Sequence, residues 1–172
     1  MFLNKIFILI LITFLVGCGF QPLYSVSDDF LQQTAEIEIE PIAGEGGYYS
    51  DLYLRNKLNP KQIFADKKYR LKVVLQEPVY TNQNIRSDNF ASLVNMSVRA
   101  SYKLTNIKNN QVLIDSFVST SGLFNIISEP YSTVVAQEKL YQNLIQTLSD
   151  DIAQHILSYF KGMTSESKTI SD

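Results

Sequence analysis

Between Val94 and Thr105 the chain alternates without a break: Val94, Met96, Val98, Ala100, Tyr102 and Leu104 are separated by Asn95, Ser97, Arg99, Ser101, Lys103 and Thr105. Successive side chains of a strand point to opposite faces, so this segment carries one apolar and one polar face over roughly 40 Å. Such a strand needs a sheet covered on one side and wet on the other, which is the antiparallel case. Asn109 and Asn110 follow as a turn pair that tolerates positive φ, and Gln111 to Ser121 supplies the returning strand of a hairpin. Its register stays open, because Leu113 and Phe117 have the opposite parity from Val112, Ile114 and Val118, and cover on both faces is one answer.

The rest of the chain is read around that hairpin. Glu36-Ile37-Glu38-Ile39-Glu40 is a first strand with carboxylates on its wet side, ended or placed at an edge by Pro41. After the turn Gly44-Glu45-Gly46-Gly47, residues Tyr48 to Leu58 present Tyr49, Leu52, Tyr53 and Asn56 at helical spacing, bounded by Asn59-Pro60. Tyr69 to Tyr80 alternates again, with Tyr69, Leu71, Val73 and Leu75 facing one way and a bend at Pro78. Thr81 to Asn89 is polar and is expected to be an exposed, mobile loop. Ser128-Glu129-Pro130 opens a helix that runs to Gly162 on Val134, Tyr141, Ile145, Leu148, Ile152, Ile156 and Tyr159, roughly 45 Å long. The expected fold is α+β: a two-layer sandwich with a mostly antiparallel four-stranded sheet and one short and one long helix on one face, in the order β-α-β-β-β-α.

The N-terminus sets the compartment. Lys5 is followed by an uncharged run from Ile6 to Val16, which as a helix rises only about 16 Å, half of what a membrane span requires. It therefore reads as the apolar core of a signal peptide. Leu15-Val16-Gly17 leads into Cys18, the only cysteine of the 172 residues, and resembles the lipobox of bacterial lipoproteins. In that class the cysteine is acylated and becomes the mature N-terminus. That anchors a protein without spanning the membrane and leaves no thiol for a disulfide. Gly19 stands where an aspartate would resemble an inner-membrane retention signal, so the outer membrane is favoured. The expected divisions are a signal peptide over 1–17, a lipid tether over 18–34, one domain over 35–162 and a disordered tail over 163–172.

Charge and chemistry narrow the function. The net charge of −2 gives no bulk argument for nucleic acid, and the chain has no Gly-rich phosphate loop. His155 is the only imidazole; it lies at helical spacing from Asp150 and Asp151, where a local ion pair or helix-surface role outweighs base catalysis. No serine has a nucleophile-elbow context, and with Cys18 acylated no metal set or cofactor site is expected, so the reading is non-enzymatic. Against this acidic background Arg55, Lys57, Lys61, Lys67, Lys68, Arg70 and Lys72 stand together with Asp66 as the only acid among them. If the strands pair, Arg99 and Lys103 lie beside Arg70 and Lys72 as a basic stripe, so Arg55, Lys57, Lys68, Arg70, Lys72, Arg99 and Lys103 are candidates for a phosphate-bearing ligand.

Cys18-Gly19-Phe20-Gln21-Pro22-Leu23-Tyr24 resembles the start of the mature lipopolysaccharide-assembly lipoproteins of the LptE family of alphaproteobacteria, and the element order is similar to that family's fold. The resemblance implies an outer-membrane β-barrel partner, LptD, in whose lumen the lipoprotein sits, and a part in delivering lipopolysaccharide. On that view the helix-free sheet face, the Thr81 to Asn89 segment and the hairpin end at Asn106 to Asn110 meet the barrel, through hydrogen-bonding side chains. The alternative is an auxiliary lipoprotein of a lipid transporter, anchored by the same Cys18.

Overall fold

A computed structural model describes residues 28–85, 91–126 and 130–169. The lipobox-like segment, Cys18 and the heptapeptide through Tyr24 lie outside the described residues, as do Ser128 and Glu129 of the expected helix start. The elements run α1 (Asp28–Ala35), β1 (Ile37–Ile39), α2 (Gly47–Leu58), β2 (Tyr69–Leu75), β3 (Val79–Ile85), β4 (Ala91–Asn106), β5 (Val112–Asn125) and α3 (Pro130–Thr169).

The alternating segment forms β4, and its length organises the sheet. β2 pairs antiparallel with 100–106 of β4 and β3 with 91–97, end to end along one edge, while β5 runs antiparallel along the other. The backbone N–H of Gln76 still donates to Arg99 O at 2.9 Å, and Pro78, which has no N–H, interrupts the ladder just beyond it. β1 pairs parallel with β2, Ile37 opposite Tyr69, and the parallel crossover between them is α2. At the hairpin tip Asn110 takes φ 55°, the left-handed conformation the Asn pair predicts.

The apolar face of the sheet (Ile37, Ile39, Leu71, Val73, Val94, Met96, Val98, Ala100, Tyr102, Leu104, Val118, Phe124) is buried under the helices. From α3 come Leu144, Ile145, Leu148, Ile152, Ala153, Ile156 and Phe160, and from α2 Leu54 and Leu58. Where α2 and α3 meet, Ser50 and Ser149 are buried and share a hydrogen bond of 3.0 Å. Gly122 lets the layers close: a Cβ there would lie 2.6 Å from Leu140 Cδ1 of α3.

The layered α+β arrangement stands, with corrections at its margins. The sheet has five strands rather than four, because Thr81 to Ile85, expected as loop, extends as β3 on the first half of β4. That segment has little β patterning, and the exposed hydrogen-bonding edge of a sixteen-residue neighbour supplies what its side chains do not. The segment expected to be tether contains α1, whose Thr34 and Ala35 are buried and whose last carbonyl accepts from Lys67 Nζ at 2.7 Å. In α2 the buried positions are Gly47, Ser50, Leu54 and Leu58, not the Tyr49, Leu52, Tyr53 and Asn56 stripe. Ser50 faces α3 there, within hydrogen-bonding distance of Ser149, and Gly47 lies against the backbone of Ile42. α3 passes through Gly162 to Thr169, so 163–169 is helical rather than disordered, and its Val134 is exposed.

Candidate functional site

The face of the sheet opposite the helices is open, and register decides what collects there. Residues directly opposite in an antiparallel pair share a face, so the pairings of Arg70 with Thr105, Lys72 with Lys103 and Val74 with Ser101 put Arg70, Lys72 and Lys103 on that face. Arg99 is opposite Ser119 and Lys103 opposite Asp115 on β5. The expected stripe of Arg70, Lys72, Arg99 and Lys103 is thus assembled on one surface.

Its cations differ in what already holds them. Arg70 Nε lies 3.3 Å from Glu38 and 3.6 Å from Glu40, and Lys103 Nζ lies 2.8 Å from Asp115. Arg99 instead stacks over the ring of Phe117, 4.5 Å from its centroid, and Lys72 has no ion pair among the described residues. Lys72 and Lys103 face each other as like charges, which leaves the centre of the face electropositive. Exposed pairs of this kind are worth about 0 to 1 kcal/mol, so an incoming anion can displace them. Phe117, whose parity the sequence left open, lies on this open face and is 56 % exposed. Exposed Val74, Val79 and Leu123 make the surface mixed rather than purely charged.

The other candidates lie elsewhere. Lys68, just before β2, is 2.6 Å from Glu36, whose hydrogen bond and charge raise its pKa. Arg55 on α2 bonds Asp51 at 2.7 Å, which likewise raises its pKa, and reaches Ile39 O at 3.5 Å. Both line a cleft of about 1050 Å³ between α1, β1, α2 and the segment 59–68. Its walls are amphiphilic: Ile37, Ile39, Leu52, Leu58 and Phe64 alternate with Gln32, Asn56 and Lys67. Asn59 clips its outer wall by accepting from Ile63 N at 2.8 Å and donating to Ile63 O at 2.9 Å. Lys57 is not among the residues lining the cleft and pairs with Asp150 of α3 at 3.3 Å. No periodicity announces this cleft in the sequence; the density of lysines between 61 and 68 was the available signal.

His155 has a partner that sequence reasoning missed. Its Nδ1 lies 2.6 Å from Tyr102 Oη across the layer interface, whereas no carboxylate pairs with it among the described residues. Burial pushes the Tyr102 phenol above its ordinary pKa, a hydrogen bond with Ser116 opposing the rise. The folded state therefore holds the phenolic proton more tightly than the unfolded chain. That contribution is complete below about pH 10 and is lost as pH rises through the folded value. Thermal melts of Tyr102→Phe should accordingly fall off less steeply than those of the parent above about pH 10. Identical profiles would assign the alkaline loss to other groups.

Among the described residues there is no cluster of three or more metal-ligating side chains, and no helix long and apolar enough to cross a membrane. No family model matches the chain. It is 26 % identical over 164 residues to the protein RP188 of Rickettsia prowazekii, covering 92 % of this chain and 98 % of that one. Among solved structures it is similar to a candidate lipoprotein of Caulobacter crescentus, with a TM-score of 0.62 and 16 % identity, over 78 % of this chain and 97 % of that one. It is also similar to lipoprotein B of Nitrosomonas europaea, with a TM-score of 0.56 and 10 % identity over 74 % of this chain and 88 % of the other. The rare lipoprotein B of Shewanella oneidensis gives a TM-score of 0.52 and 7 % identity over 78 % and 100 %. The class defined is thus an α+β sandwich with the fold seen in these bacterial lipoproteins.

Proposed function

We propose that this chain is a non-catalytic outer-membrane lipoprotein, acylated at Cys18, that complexes with an LptD-type β-barrel and serves lipopolysaccharide assembly from the periplasmic side. The observation that carries the reading is the open sheet face. It offers hydrogen-bonding side chains together with Lys72 and Arg99, neither of which pairs with a carboxylate among the described residues, and that suits both a polar barrel lumen and a phosphate-bearing lipid headgroup. The lipobox-like ending at Cys18, the Cys18 to Tyr24 resemblance and the fold shared with rare lipoprotein B support it. The amphiphilic cleft beside Arg55 and Lys68 favours a second reading, an auxiliary lipoprotein that carries a lipid for a transporter.

Affinity purification of the full chain from detergent-solubilised membranes separates the two. The first reading expects a large β-barrel in stoichiometric amount; its absence, with transporter subunits recovered instead, decides for the second. A triple variant, Lys72→Glu, Arg99→Glu and Lys103→Glu, should fold as the parent does. Its retention on immobilised lipopolysaccharide should fall at least about tenfold, since a few exposed charges readily supply the 1.4 kcal/mol involved. Unchanged retention would remove the open face as the anion site.

A further inference from the structure

We propose that the mouth of the cleft is a membrane-contact rim: Phe64 on one side and Leu52 and Tyr48 on the other enter the headgroup layer of an anionic phospholipid surface, while Arg55, Lys61 and Lys67 meet its phosphates. Phe64 is fully exposed, yet its segment is fastened on both sides. Just before it, Asn59 accepts from Ile63 N and donates to Ile63 O. Just after it, Lys67 Nζ donates to Ala35 O at 2.7 Å and the backbone N–H of Lys68 to Glu36 O at 2.9 Å. Leu52 lines the cleft from α2 and is exposed, and the exposed Tyr48 lies one turn before it on the same helix face. Singly such residues need no explanation, but these rim one opening among cations. Arg55, Lys67 and Lys68 line that opening, and Lys61 stands three residues before Phe64. The bond made by Lys67 is to a neutral carbonyl and leaves its charge in place. Of the two acids in the cleft, Glu36 and Asp66, the first is already held by Lys68. Interfacial elements bind in proportion to the apolar area they bury plus their attraction to anionic lipids, and this rim supplies both.

The position of the anchor says which surface covers the rim. Ten residues separate Cys18 from Asp28, the first residue of α1, a reach of at most about 36 Å. α1 is about 12 Å long and ends on the cleft, where Gln32 and Thr34 line the wall and Ala35 O accepts from Lys67. α3 is about 60 Å long, so of the two ends of the molecule it is the cleft end that an acylated Cys18 keeps beside the bilayer. The proposal therefore rests on the acylation of Cys18, and it does not rest on the barrel complex. Ile37 and Ile39, which line the cleft, belong to the helix-covered face of the sheet. The face assigned to the barrel is the opposite one, so a single molecule can meet a barrel and the lipid beside it.

The chain contains no tryptophan, so Phe64→Trp gives a single fluorescent reporter at a fully exposed position where the fold has nothing to lose. The full acylated chain is reconstituted in barrel-free vesicles whose phosphatidylcholine carries bromine on its acyl chains, with or without phosphatidylglycerol. With phosphatidylglycerol, the emission of Phe64→Trp should shift to the blue and be quenched. The ratio of quenched to unquenched molecules should be at least about tenfold higher than in phosphatidylcholine alone, since each lysine near an anionic surface contributes roughly a fivefold factor. Tyr131→Trp is the control: it is exposed and lies about 40 Å along α3 from Phe160, which packs on β2 beside the cleft, and its emission should not change. A Phe64→Trp chain that floats with the vesicles unquenched overturns the proposal alone. Equal quenching of the two variants, or of Phe64→Trp in the two kinds of vesicle, overturns it as well. A chain that does not float at all fails the anchor first and the proposal with it.

Discussion

Gly47→Ala is expected to destabilise the protein by about 3 kcal/mol or more, the upper end of what overpacking costs. A Cβ at Gly47 would lie 2.1 Å from Ile42 O and 2.8 Å from Ile42 C, and both atoms are backbone, so no rotamer change relieves the contact. The first turn of α2 would have to move off the chain entering it, and with it Ser50, whose hydroxyl is bonded to Ser149. Neighbouring glycines supply the scale. At Gly46 the obstacles are the ends of Ile145 and Tyr141 side chains at 2.8 Å, which can yield, so Gly46→Ala should cost about 1 to 2 kcal/mol. Gly44 has open space but φ +97°, so its alanine variant pays only for backbone strain, about 1 kcal/mol. Gly162 lies inside α3, where an added Cβ would meet nothing within 4 Å, and Gly162→Ala should stabilise by about 0.5 to 1 kcal/mol. Urea midpoints of the four variants give the order directly; a Gly47→Ala midpoint at or above that of Gly46→Ala would contradict the backbone argument.

What was legible in the sequence is what local periodicity encodes. The alternation from Val94 to Leu104 gave β4 and its buried face, and Asn109-Asn110 gave the turn, because both depend on residues adjacent in the chain. β3 and α1 were illegible for the opposite reason: Thr81 to Ile85 is held as a strand by a distant edge, and α1 by burial of Thr34 and Ala35 and by Lys67. The α2 face was misjudged because its buried positions include Ser50, bonded to Ser149 of α3, and Gly47, set against the backbone of Ile42, small residues that an apolar count ignores. The same split holds at the site. That Arg70 and Lys72 lie beside Arg99 and Lys103 followed once β2 and β4 were paired. Which cations are neutralised depends on strand neighbours far apart in sequence, Glu38 for Arg70 and Asp115 for Lys103. Phe117 shows the limit most sharply. Its parity was visible, but its role became readable only when Arg99 was found stacked on it.

Replacing phenylalanine by alanine at two positions should separate stability from recognition. Phe160 is 1 % exposed, packs edge-on to Tyr69 at 5.0 Å and to Tyr159 at 5.7 Å, and fastens the later part of α3 to β2. Phe160→Ala should cost about 3 to 5 kcal/mol, from lost burial plus a cavity that two flanking tyrosines fill only in part. Hydrogen exchange should accelerate in the last turns of α3 and in β2 before it does in β4 and β5, since Phe160 is the last fully buried side chain of α3 among the described residues and packs on Tyr69 of β2. Phe117→Ala removes a ring of the same size from the open face, where it loses only its half-buried area and a cation–π contact worth about 0.5 to 1 kcal/mol. Its unfolding midpoint should stay near that of the parent while the retention on lipopolysaccharide falls, because Phe117 supports Arg99. Equal midpoints for the two variants would mean that the helix layer is not held through Phe160. A large loss at Phe117 would mean that the open face carries structural weight and is not reserved for a partner.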